Sequence, residues 1–195
     1  MMNKKAQVIS VDLIAALMMF LVILSLGIWL INYVGFVHSQ LDLRTDLEQM
    51  LETSMLTLFT KSGQPINWHT LAVSDMNTSS ILSIGTSIGD GVTLDWFKLN
   101  ALDRNFHSTI YSDVLRRQLG ILDARIDVVF YVYVFEQNSG EFSQLPLFVI
   151  GEPLQQEALI RIRQTRYHYI TTGIEGVPLT INVPVKVVGE IYYAQ

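Results

Sequence analysis

From Leu13 to Ile31 nothing is more polar than Ser25, and no Asp, Glu, Lys or Arg falls between Asp12 and Asp42. At about 1.5 Å per residue such a run crosses a hydrocarbon layer of roughly 30 Å. It is apolar on all sides rather than along one stripe, the mark of a helix surrounded by lipid or by other helices. A transmembrane helix is therefore predicted. Two alternatives stand beside it. A buried helix of a soluble protein would need a larger remaining chain to cover it. A cleaved secretory signal would use Val37, His38 and Ser39 as its cleavage site, but such signals carry apolar cores of only about 7–15 residues.

Beyond the run the period becomes helical. Leu43, Leu47, Met50, Leu51, Met55 and Leu58 recur at spacings of three and four, with Asp42, Asp46, Glu48 and Glu52 mostly on the other side. One helix from about residue 10 to residue 60 is expected, and Ser62, Gly63, Gln64 and Pro65 supply its stop. Gly27 and Gly35 soften it, since glycine costs about 1 kcal/mol relative to alanine inside a helix, or permit close helix approach. Residues 74–91 are rich in Ser, Thr, Gly and Asp and read as loop around a short strand at 81–84. Residues 94–103 and 111–118 read as short helices, with Leu94, Phe97, Ala101 and Leu102 as one apolar face and Gly120 as a stop.

From Ala124 onward the period is two. Residues 125–136 alternate Ile126, Val128, Phe130, Val132 and Val134 with Val129, Tyr131, Tyr133 and Phe135, so a central strand covered on both faces is expected. A turn at 138–141 leads to a strand near 144–150, and further strands follow at 156–171 and 179–193. Pro184 cannot donate to a ladder, which predicts an edge position for the last strand. The class is α+β: a long N-terminal helix packed on an antiparallel sheet.

Composition narrows the function. The chain has 195 residues, no cysteine and a net charge of −5. A disulfide scaffold and a thiolate metal site are excluded, and mild acidity without a basic cluster argues against nucleic acid as a partner. Lys4 and Lys5 precede the span and the first charge beyond it is acidic, which predicts a cytoplasmic N-terminus and an extracellular head.

The segment Lys4-Lys5-Ala6-Gln7-Val8-Ile9-Ser10-Val11-Asp12 heads the apolar run. A short basic leader, then a small residue, Gln, Ser and an acid resembles the class III signal peptides of archaeal type IV pilins. The resemblance implies that prepilin peptidase cuts between Ala6 and Gln7 on the cytoplasmic side and leaves the helix attached. Ala6 stands where glycine is commoner, and Asp12 is the sixth residue after that bond, where the acid is often the fifth. The turn Gly63-x-Pro65-x-Asn67-Trp68, then Ile84-Gly85, Lys98 within 94–102, and Leu119-Gly120-Ile121 echo the same group. The implied partners are prepilin peptidase, other pilin subunits, an assembly ATPase, a polytopic membrane platform and membrane lipid, with no cofactor. The expected organisation is a leader at 1–6, a membrane or filament-core helix at 7–37, its amphipathic continuation at 38–62 and an extracellular head at 63–195. The expected role is a structural or minor subunit of a pilus-like surface filament; the alternative is a single-pass anchored binding or adhesion module that does not polymerise.

Individual residues carry two readings each. A carboxylate at Asp12 costs up to about 2.5–3.5 kcal/mol at mid-bilayer, so it either pairs, as the resemblance implies, with the freed α-amine of a neighbouring subunit, or reaches the headgroups. Asn77-Thr78-Ser79 is an N-glycosylation sequon. Trp68 is a packing anchor or a ligand platform. Arg161, Arg163 and Arg166 with Tyr167, His168 and Tyr169 form the one patch for an acidic ligand, or else a solvated strand face. His38, His69, His107 and His168 show no metal-ligand spacing, and no nucleophile elbow or phosphate loop is present. No enzyme is expected.

Overall fold

A computed structural model describes residues 4–70, 81–105, 115–121, 123, 125–151, 153, 158–172 and 181–193. Asn77 lies outside them, as does the first part of the helix expected at 111–118. The elements are α1 (Lys4–Thr60), β1 (Thr93–Asp95), α2 (Trp96–Asn105), β2 (Ile126–Glu136), β3 (Glu141–Phe142), β4 (Phe148–Ile150), β5 (Ile160–Thr172) and β6 (Ile181–Tyr193). The chain divides into two compact units, Met1–Thr45 and Asp46–Gln195.

In the first unit α1 is uninterrupted, and its large apolar side chains from Leu13 to Leu41 are exposed. Neither Gly27 nor Gly35 has an atom within 4 Å of the position a Cβ would take. This is one helix long and apolar enough to cross a membrane.

In the second unit the last turns of α1 lie on a mixed sheet of order β1-β5-β6-β2-β3, with β4 also beside β2. Leu47, Leu51, Met55, Leu58 and Phe59 are buried, as the spacing of three and four requires. Their seat is β6 at Gly189, where an added Cβ would come within 3.0 Å of Leu51 Cδ1 and of Met55 Sδ. Phe59 meets Phe130 edge to face at 5.3 Å between ring centroids. The missing side chain at Gly189 lets the helix approach the strand closely. This long N-terminal apolar helix with a mixed sheet is an α+β arrangement compatible with a pilin-like fold.

Four expectations are corrected. The sheet is not wholly antiparallel, because β1 runs parallel to β5, with Thr93 opposite Tyr169. The helix expected at 94–103 begins later: Asp95 Oδ1 accepts the N–H groups of Phe97 at 2.9 Å and Lys98 at 3.4 Å, so Asp95 is the N-cap. Leu94 is then a buried strand residue, Leu99 takes the inward place, and Phe97 is exposed. The last strand is not an edge along its length, since β6 lies between β5 and β2. Pro184 is tolerated because β2 joins β6 only from Val185 onward, leaving Pro184 with β5 alone. Finally, β2 is covered on its second face at Val129, but Tyr131, Tyr133 and Phe135 are half-exposed.

Replacing Phe59 with Ala removes the ring on which helix and sheet meet. A loss of about 3–5 kcal/mol is expected in denaturant unfolding of the detergent-solubilised protein.

Candidate functional site

The first unit carries Ala6, Gln7 and Asp12. Backbone helix includes Ala6 and Gln7, so the bond expected to be cut lies within α1. Asp12 is exposed on the helix. Further along, Trp29 and Tyr33 stack one turn apart, with 5.4 Å between centroids and 13° between planes. Trp and Tyr have amphipathic rings that settle at membrane–water boundaries.

The second unit holds the end of α1 through its last carbonyls. A helix leaves four C=O groups without intrahelical partners, and each buried one needs a donor. Leu58 O accepts the Thr86 N–H at 2.7 Å and the Thr86 hydroxyl at 2.9 Å, and Lys61 O accepts the Ser87 N–H at 3.0 Å. Ser62 O accepts Lys98 Nζ at 2.8 Å, and the same ammonium donates to Ser87 O at 3.1 Å. Lys98 is only 2% exposed. Burial pulls its ammonium below the ordinary lysine range, with Asp95 acting in the opposite sense. A positive charge just beyond the C-terminal end of a helix is also favoured by the helix dipole.

The short motifs downstream of the helix converge here. Gly63 adopts φ +80° and faces the buried Trp68. A Cβ on Gly63 would lie 2.5 Å from Trp68 Cδ1, and one on Gly85 would lie 2.2 Å from Lys61 O. Trp68 Nε1 donates to Gly85 O at 3.0 Å, which makes it a packing anchor with its polar edge satisfied. Gln118 brackets Ile84: its Oε1 accepts the Ile84 N–H at 2.6 Å and its Nε2 donates to Ile84 O at 2.5 Å. Gly120 turns the chain at φ +74°, between buried Leu119 and Ile121. Arg116, one turn earlier, ties this segment to β2 through Asp127 and through Ile126 O at 2.9 Å.

The glycine-rich stretch 85–91 is the loop expected, and it is organised by Asp90. Asp90 Oδ1 accepts the N–H groups of Thr93 at 2.7 Å and Val92 at 3.0 Å. Hydrogen bonding, first from the Thr93 side chain and then from these amides, holds the carboxyl down at about 2. The Ser87 hydroxyl accepts the N–H groups of Gly89 and Gly91 at 3.0 and 3.1 Å. The loop thus presents Ser87 O to Lys98 and Val92 O to β5.

The expected patch of arginines and aromatics is divided by strand alternation. Arg161, Arg163, Tyr167 and Tyr169 are exposed on one face, whereas Arg166 and His168 turn toward α1. Arg166 reaches Glu52 at 3.4 Å, and the His168 ring lies 6.1 Å from that of Phe59. On the other face Arg161 Nη2 lies 2.6 Å from Glu190 Oε2, and Arg163 Nε lies 3.5 Å from Glu190 Oε1. Glu190 is the residue that sequence reasoning missed. Its signal was a lone acid at an even position of β6, opposite Arg163 in the ladder.

Two measurements test this reading. Gly85→Ala drives a Cβ into backbone that has no slack, so a loss at the upper end of about 1–3 kcal/mol is expected in unfolding, without loss of membrane insertion. His168 Nδ1 lies 3.3 Å from Val92 O and so carries the proton, leaving Nε2 buried without a partner. Burial above all, helped by Arg166, pulls its pKa below 6.5. The unfolded chain therefore binds the extra proton first, and stability falls as pH drops below that value. Unfolding temperature should decline between about pH 7.5 and 5.5, and His168→Phe should flatten that slope.

No protein-family model, no curated protein and no solved structure matches the chain.

Proposed function

We propose that the chain is a pilin-like subunit of a type IV pilus-like surface filament, structural or minor, of the archaeal kind. The observation that carries this reading is α1: a single helix, Lys4–Thr60, uncharged and exposed over 13–37, whose last turns cover the sheet of the head. A simple anchor has no need of Gln7 or of an acid at Asp12. In this reading prepilin peptidase cuts between Ala6 and Gln7, and Asp12 pairs with the freed α-amine of a neighbouring subunit. An assembly ATPase and a membrane platform then lift the subunit out. Its apolar helix exchanges lipid for the helices of other subunits, driven by exclusion of that surface from water.

The placement of aromatic residues supports a membrane stage. About 20 residues span the hydrocarbon, so a span entered at Asp12 ends near Asn32, between the stacked Trp29 and Tyr33. The charges at its two ends, Lys4 and Lys5 before the span and Asp42 as the first charge beyond it, favour a cytoplasmic N-terminus and an extracellular head. The clamp at residues 58–63 supports the filament stage, because it secures the last turn of the helix by which a subunit would be held.

Intact mass of the membrane-extracted protein, expressed with and without a prepilin peptidase, tests the proposal. Loss of residues 1–6 only with the peptidase is the expected result. An uncut chain would favour a membrane-anchored binding module, and loss through Ser39 would make the head a secreted domain. Asp12→Ala should leave insertion intact and lower incorporation into filaments by about tenfold, the effect of losing roughly 1.4 kcal/mol per contact. Unchanged incorporation would remove the pairing role.

A further inference from the structure

β5 is 13 residues long, yet β1 lies beside only its last part, from Tyr169 to Thr171. Among the described residues no other strand lies along that edge. The ladder with β6 is regular from Ile160 to Thr172, and the Tyr169 N–H points away from β6, to Val92 O at 3.1 Å. Backbone groups in an antiparallel ladder alternate sides. The N–H and C=O groups of Arg161, Arg163, Thr165 and Tyr167 therefore also face outward, and all four side chains are exposed on one face of the sheet. The edge stops at the loop that carries Val92, which leaves room for a strand of about seven residues.

The charge on this edge selects what can add to it. Glu190, buried behind the strand, holds Arg161 and Arg163 in place, but it is one carboxylate for two guanidiniums. Each guanidinium has five N–H donors. The two side chains remain 56% and 59% exposed, so most of those donors face solvent. A net positive edge results in a chain whose net charge is −5. A second copy of β5 is a poor occupant, because the strand carries three arginines and no acid, and pairing it with itself brings cation toward cation.

We propose that the β5 edge, along which no other strand of the described residues lies before Tyr169, is a strand-addition site for an extended acidic segment of another protein, with carboxylates at alternate positions set beside Arg161 and Arg163. Main-chain hydrogen bonds supply the attachment and the two arginines supply the choice of partner. The site functions whether or not the chain assembles into a filament.

The test uses the full-length protein in a neutral detergent and a fluorescent peptide, Thr-Val-Glu-Val-Glu-Val-Thr, followed by anisotropy. Saturable binding is expected, stronger by about tenfold or more than for the peptide with Lys in place of Glu. N-methylation of alternate peptide amides should abolish it, a change that leaves the protein untouched. Thr165→Pro removes an outward N–H without removing a ladder bond, and should abolish binding as well. The double variant Arg161→Ala, Arg163→Ala should erase the preference for Glu over Lys. Absence of saturable binding up to about 1 mM peptide, a threshold weaker than roughly −4 kcal/mol, overturns the proposal. So does equal binding of the N-methylated peptide, which would mean simple ionic attraction. Concentration-dependent dimerisation that Thr165→Pro removes would assign the edge to a second copy and overturn it too.

Discussion

The head is built around the carbonyls at the end of α1. A helix that stops inside a folded domain leaves acceptors that water cannot reach, and here Leu58, Lys61 and Ser62 are all answered by the segment 86–98. Using a buried ammonium for the last of them is costly, because Lys98 must leave water to reach Ser62 O. The cost is offset only while the helix end, Ser87 O and the N-terminal turns of α2 hold the same geometry. That requirement explains why the glycines are where they are. Gly63 and Gly85 pass so near Trp68 and the Lys61 carbonyl that a methyl group at either would force the clamp open.

The clamp and the sheet are two parts of one constraint. Residues 87–93 connect them: Asp90 shapes the loop, Ser87 serves Lys98, and Val92 serves both Tyr169 and His168. Thr86 O also accepts the Asp95 N–H at 2.7 Å, which fixes where β1 ends and α2 begins. A parallel strand of three residues contributes little burial of its own. Its value is positional, since it carries the helix clamp to the strand on which Phe59 and His168 meet.

Much of this was legible in the chain because it follows from period alone. The apolar run, the switch to a spacing of three and four at Leu43, and the alternation from Ile126 onward specify helix, helix face and strand without reference to anything distant. What was not legible depended on competition between local signals. Leu94 fits a helical face, yet Asp95 is an N-cap, and a cap that satisfies two amides outweighs one apolar position. Pro184 reads as an edge residue, yet strands of unequal length give β6 an edge along only part of its length. The motifs at Trp68, Gly85 and Lys98 were visible as separate short signals; their convergence on one helix end was not, because contacts across tens of residues leave no periodic trace.

The stretch Arg161 to Tyr169 shows how far a patch in sequence can differ from a patch in space. Six residues that read as one cluster are sorted by the pleat onto two faces. Arg166 and His168 go to the helix side, where the half-buried Arg166 pairs with Glu52 and His168 is buried near Phe59. Arg161 and Arg163 go to the open side, where a single buried carboxylate orients them without neutralising both. Had Glu190 been apolar, the two arginines would swing freely in solvent and offer no fixed geometry to a partner. Had a second acid accompanied it, no charge would remain to recognise anything. The imbalance of one is what turns an ordinary charged edge, the usual defence against unwanted strand pairing, into an edge with a preference.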